Sequence, residues 1–82
     1  MKSEYDRRRD AAYFQFSSAD SVRQERLSGL RVVDYGADGK VVGIEFISPS
    51  RGIDLTGIPH ATDIEREARR LGLPVRGPTG IA

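Results

Sequence analysis

The sequence predicts an α+β fold: a small antiparallel β-sheet of hairpins, three to five strands, with one C-terminal helix packed on one face. Three observations lead there. Short alternating segments flank an arginine-rich turn at residues 6–10. Two β-branched runs flank Gly36-Ala37-Asp38-Gly39. Apolar residues then recur at helical spacing from Ala61 to Leu71, ahead of Gly72-Leu73-Pro74. A period of two marks a half-buried strand, and spacings of three and four mark an amphipathic helix.

Lys2 to Tyr5 and Ala11 to Phe16 form the first hairpin. Asp6 opens its turn by accepting backbone N–H groups ahead of it. In the second strand Ala12, Phe14 and Phe16 fall on one face, and Ala11, Tyr13 and Gln15 on the other. Ser17 to Ser21 is a polar loop. Val22 to Ser28 admits two readings. One is a short helix capped by Ser21 and Gln24 and ended at Gly29. The other, preferred here, is a polar edge strand whose charges discourage pairing with other chains.

Leu30 to Ile47 carries the strongest signal. A three-residue loop, Ala37-Asp38-Gly39, closes the hairpin with Gly39 at positive φ. Counting back from the loop, Gly36 faces Lys40, Tyr35 faces Val41, Asp34 faces Val42, and Val33 faces Gly43. Val32 then faces Ile44, Arg31 faces Glu45, and Leu30 faces Phe46. Such cross-strand pairs contribute roughly 0.2–1 kcal/mol each. Pro49 stops the strand, and Ile53 and Leu55 suit a short extended piece. The helix begins near Pro59 or at Thr62, where Thr62-Asp63-Ile64-Glu65 reads as a capping box. Ala61, Ile64, Ala68 and Leu71 make its apolar stripe. Residues 1–75 are expected to form one domain, and 76–82, rich in Gly and Pro, a mobile tail.

On this register Leu30, Val32, Val42, Ile44 and Phe46 share a face with Phe14 and Phe16, which the helix stripe can cover. Tyr13, Val33, Tyr35, Val41 and Ile47 share the other. That second face is too apolar to be left in water. It suggests a homo-oligomer, a dimer being favoured, with those five residues at the oligomer or partner interface. The alternatives are scattered surface residues, or cover by Ile53 to Ile58. A chain of 82 residues hides only roughly 60–65% of the surface that its unfolded form exposes, which makes a partner useful.

Composition narrows the function classes. There is no cysteine and only one histidine, His60, so no disulfide, thiolate or multi-histidine site can form within one chain. The net charge of +1 is far from that of a dedicated nucleic-acid binder. A small nucleic-acid-binding regulator using Arg7, Arg8 and Arg9 is nevertheless the rival reading. No apolar run is long enough to span a bilayer, and a cytoplasmic location is expected. Asp34, Asp38, Gly39 and Glu45 match part of a calcium loop. The third ligand position is Gly36, the flanks read as strands, and Asp34 and Glu45 point to opposite faces on the register above. No metal, cofactor or catalytic constellation is therefore expected, and His60 reads as a surface residue at a helix start.

Two blocks carry a resemblance. Tyr5-Asp6 with Asp10-Ala11-Ala12-Tyr13-Phe14-Gln15-Phe16, and Gly29 through Ile47 followed by Ser50, resemble the bacterial domain of unknown function 2283 family over roughly residues 2–50. Gly36 departs from it, standing where the family usually has an acidic residue. The family's function is not established, and some members are suspected partners of small toxins. The name transfers no mechanism; the apolar second face makes a protein-interaction or assembly module the leading reading, and the resemblance implies an antitoxin-like partnership as its most concrete form.

Overall fold

The computed structural model describes residues 1–76. The chain divides into two compact units, Met1–Ser48 and the part from Pro49 onward.

The first unit is one antiparallel sheet of five strands: β1 (Lys2–Asp6), β2 (Ala11–Gln15), β3 (Arg23–Ser28), β4 (Arg31–Tyr35) and β5 (Val41–Ile47), in the order β1-β2-β5-β4-β3. The most apolar strand, β5, takes the middle, where its residues bury on both faces. Asp6 opens the first turn as expected, accepting from the backbone N–H groups of Arg8 at 3.0 Å and Arg9 at 3.1 Å. Residues 23–28 form a strand at the sheet edge, with Arg23, Gln24, Glu25 and Arg26 exposed. Charges on an edge discourage pairing with other chains.

The second hairpin closes as its sequence predicts. Gly39 has φ of 80°. The Gly36 N–H donates to the Lys40 carbonyl at 2.9 Å, and the Gly39 N–H to that of Gly36 at 3.0 Å. Tyr35 faces Val41. Beyond that pair the expected register does not hold. Asp34 faces Gly43, Val33 faces Ile44, Val32 faces Glu45 and Arg31 faces Phe46. One extra residue, Val42, is accommodated in a β-bulge. Its carbonyl instead accepts the N–H groups of Phe16 at 2.8 Å and Ser17 at 3.2 Å, at the end of β2.

The physical reason lies in what the bulge puts opposite what. A regular ladder would set Val33 against Gly43, with no side chain to pack on. The bulge sets Val33 against Ile44, which in turn faces Phe14. All three are fully buried. Ala12 and Phe46 complete this face, and Phe14 meets Phe46 edge to face at 5.7 Å between ring centroids. Such aromatic pairs add roughly 0.5–1.5 kcal/mol beyond the area they bury. Leu30, expected opposite Phe46, is half-buried instead, and its carbonyl accepts the Ile47 N–H at 2.8 Å.

The second unit begins with a 3-10 turn, Pro49–Arg51. It pairs β6 (Ile53–Asp54) in parallel with β7 (Val75–Arg76) and carries α1 (Ala61–Arg70). Arg76, expected in the tail, is thus in a strand, and residues 77–82 lie outside the described residues. Ile64 and Ala68 on α1 are buried, with Ala61 and Leu71 half-buried beside them, so the apolar stripe is the expected one. The expected capping box is not formed. His60, at φ 58°, is the N-cap, with no side-chain cap bond, and its carbonyl accepts the Ile64 N–H at 3.1 Å. Thr62 is already the second helical residue, so its hydroxyl comes too late to cap. The other end follows the sequence. Gly72, at φ 79°, donates to the Arg69 carbonyl at 3.0 Å, and Leu73 to that of Ala68 at 2.9 Å. These are the two bonds of a Schellman stop.

Candidate functional site

The sheet's other face is built by the alternate residues of the same strands. Glu4, Tyr13, Glu45, Val32 and Arg26 form one row across all five strands, and Lys2, Gln15, Gly43, Asp34 and Gln24 form the next. The bulge is what brings Asp34 here beside Gly43. The face is polar, where the expected register made it apolar.

At its centre the Tyr13 ring reaches across Gly43. A Cβ at Gly43 would fall on the Tyr13 phenol, against Oη and Cζ, so only glycine leaves the ring its place. Glycine within a strand often marks such a close approach. The phenol donates to Oδ2 of Asp34 at 2.9 Å, and the Gln24 amide donates to Oδ1 at 2.8 Å. Asp34 is only 9% exposed, and both its carboxylate oxygens are engaged. Burial pushes the Tyr13 phenol up to about 12, helped by its bond to Asp34 and by the charges of Asp34 and Glu45. The phenol therefore stays protonated, as a donor, at neutral pH. Beside it Glu4, Asp6, Arg9 and Glu45 line a hollow in the surface.

The five residues expected at an interface are not brought together. Val33 is fully buried on the core face. Tyr13 and Ile47 lie on the polar face, Ile47 opposite Ala11. Tyr35 and Val41 face each other at the loop end of the hairpin. There Arg23 sits over the Tyr35 ring at 4.2 Å, and the Tyr35 hydroxyl donates to Glu25 at 3.2 Å. Sequence reasoning missed Asp34 and Gln24 as a pair. The available signal was Gly43, a glycine inside an otherwise apolar strand.

Arg7, Arg8 and Arg9 are exposed on the first turn, with the Arg7 guanidinium 5.4 Å from the centre of the Tyr5 ring. The turn's acids are close by: Asp6 holds the turn N–H groups, and Asp10 accepts the Tyr5 hydroxyl at 3.0 Å. His60 is exposed at the helix start. The calcium-loop residues are dispersed. Asp38 accepts the Lys40 N–H at 3.0 Å, and Asp34 is held by Tyr13 and Gln24. Asp34 and Glu45 share a face, contrary to the expected register, one row apart. Among the described residues no group of three or more His, Asp or Glu is placed to hold a metal ion. No helix among them is long and apolar enough to cross a membrane.

The class these observations define is a small α+β domain built on a five-stranded antiparallel sheet with one polar face. The family model described as "Protein of unknown function (DUF2283)" matches residues 2–50, more than half of the chain, and the chain belongs to that family. The matched segment spans the whole sheet. No curated protein and no solved structure matches the chain.

Proposed function

We propose that the chain is a protein-interaction module without enzymatic activity, assembling with itself and working by contact with another small protein. An antitoxin-like partnership is the most concrete form of this reading. The observation that carries it is the chain of bonds from Tyr13 and Gln24 to Asp34. The buried carboxylate of this face and the phenol beside it hold one another in place. A rigid set of fixed donors and acceptors favours recognition, because little order remains to be imposed on binding. Self-assembly suits a chain of this length, whose open sheet ends in two edges.

The test is purification of the native complex under mild conditions, identification of what accompanies the chain, and reconstitution from the two pure components. The expected result is one small protein at fixed stoichiometry. Its binding should be weakened by Glu45→Lys on the polar face with no change in melting temperature. Recovery of nucleic acid instead, bound in a salt-sensitive way and released by neutralising Arg7, Arg8 and Arg9, would replace this reading with the rival regulator.

A further inference from the structure

The two edges of the sheet differ in how they treat their own charges. On β3 the charged and polar side chains are engaged within the chain. Arg23 lies over Tyr35, Gln24 bonds Asp34, Glu25 accepts the Tyr35 hydroxyl, and Arg26 donates to the Gly29 carbonyl at 3.2 Å. The strand is also bulged between Arg26 and Ser28. The bulge blunts this edge, and side chains held within the chain are not free to pair across it. The opposite edge, β1, runs against β2 through five residues in unbroken register, with β2 as its one neighbour in the sheet among the described residues. Lys2 and Glu4 are exposed on it. Just before it Met1 is 50% exposed.

We propose that β1 is the strand through which two copies of this chain pair, antiparallel about a two-fold axis at Ser3, so that their five-stranded sheets continue into one another. This rests on the self-assembly reading above and names its surface. The register follows from charge. With Ser3 opposite the partner's Ser3, Lys2 meets the partner's Glu4 and Glu4 meets the partner's Lys2, both on the polar face. On the other face Met1 falls opposite the partner's Tyr5, a thioether against an aromatic ring, which is a favourable contact. Every pair is complementary or small. Moving each copy one residue further along, to centre on Glu4, sets two carboxylates against each other at the axis, and like charges directly opposite are destabilising. A two-fold contact of this kind is closed, so it stops at a dimer.

The test uses the full chain with any tag placed after Ala82, followed by sedimentation velocity across the micromolar range. The wild type should sediment as a dimer. Glu4→Lys and Lys2→Glu alone should each weaken it about tenfold to a hundredfold, since each turns two attractive pairs into repulsive ones. The double variant, with the charges exchanged, should restore it. Far-ultraviolet circular dichroism checks that each variant is folded. An independent arm uses the absence of cysteine from the sequence. Directly opposed residues of an antiparallel pair have Cα atoms about 4.5–5.5 Å apart, within disulfide range. Ser3→Cys should therefore oxidise to a covalent dimer, while Ala37→Cys, on the exposed loop, should not. A monomeric wild type overturns the edge and the self-assembly reading together. A dimer indifferent to charge reversal, with no cross-linking at Ser3→Cys, overturns the edge and leaves self-assembly standing.

Discussion

Two rows of residues cross the same five strands one position apart and solve the same packing problem in opposite ways. The first runs Ser3, Phe14, Ile44, Val33 and Glu25, and the second Lys2, Gln15, Gly43, Asp34 and Gln24. In the first row the centre is filled by three fully buried apolar side chains. Their attraction is non-directional and scales with area, roughly 25 cal/mol per Å². In the second row the centre is a glycine overlain by the ring of Tyr13, whose hydroxyl and the Gln24 amide donate to one carboxylate. A hydrogen bond nets only about 0.5–1.5 kcal/mol, yet leaving a buried partner unsatisfied costs more. Most stability thus resides in the first row. The second adds a condition on position, because a slip of one residue would exchange the rows and bury Asp34 in the apolar core.

The comparison breaks first where the energy is greatest. Phe14→Ala should destabilise by about 3–5 kcal/mol, as expected for a large ring removed from a packed interior. Urea unfolding measures it, and a loss below 1 kcal/mol would mean that the first row is not where stability lies. Asp34→Ala comes next. It removes the acceptor of both Tyr13 and Gln24 and should cost about 1–3 kcal/mol in the same assay.

Gly43→Ala sharpens the contrast. It adds one methyl group and no polar atom, yet it should cost about 1–2 kcal/mol, because the Tyr13 ring must swing off Asp34. On a Tyr13→Ala background the same change should be neutral or stabilising, since alanine suits a strand better than glycine does. Equal costs on both backgrounds would show that the ring is not what requires the glycine.

The smallest effect is a pH dependence. The folded Tyr13 phenol titrates near 12, above the unfolded value of about 10. A raised acid of this kind contributes stability that is fully present below pH 10 and lost as pH rises through 12. Tyr5 and Tyr35 are also pushed up, each first by burial and then by its carboxylate partner, Asp10 or Glu25. The informative quantity is therefore the difference between wild type and Tyr13→Phe. The gap between their unfolding midpoints should narrow across that interval. A constant gap would mean that the folded phenol is not raised above its unfolded value.

Much of this arrangement is legible in the residues alone. The Asp6 turn, the loop closed by Gly39, the charged edge strand and the helix stop at Gly72 each depend on a few neighbouring residues, and local chemistry decides them. The register of the second hairpin is different. Tyr35, Val41 and Val42 all suit a strand on either face, so counting from the loop cannot reveal an extra residue. The choice is made by Phe14 and Tyr13 on β2, which is distant in the chain. The candidate site follows the register, so counting from the loop scatters its members. The helix starts at Ala61, between the two starts that the sequence offers, and only the cap differs. The left-handed turn at His60 does without the hydroxyl that the sequence offers two residues later.

The bulge has a consequence for how this chain can change its length. β5 spends one more residue than its partner between the loop and Gly43, while the ladder from Gly43 to Phe46 keeps the opposite parity. Deleting Val41 would let Val42 take its place opposite Tyr35, and Gly43, Ile44, Glu45 and Phe46 would keep the partners they have. Elsewhere in the middle of β5 a one-residue deletion turns the remaining strand inside out. The sheet therefore contains one short stretch, residues 40–42, where a lost codon shortens the protein without scrambling it, and a deletion scan across residues 40–47 should show tolerance there and loss beyond it.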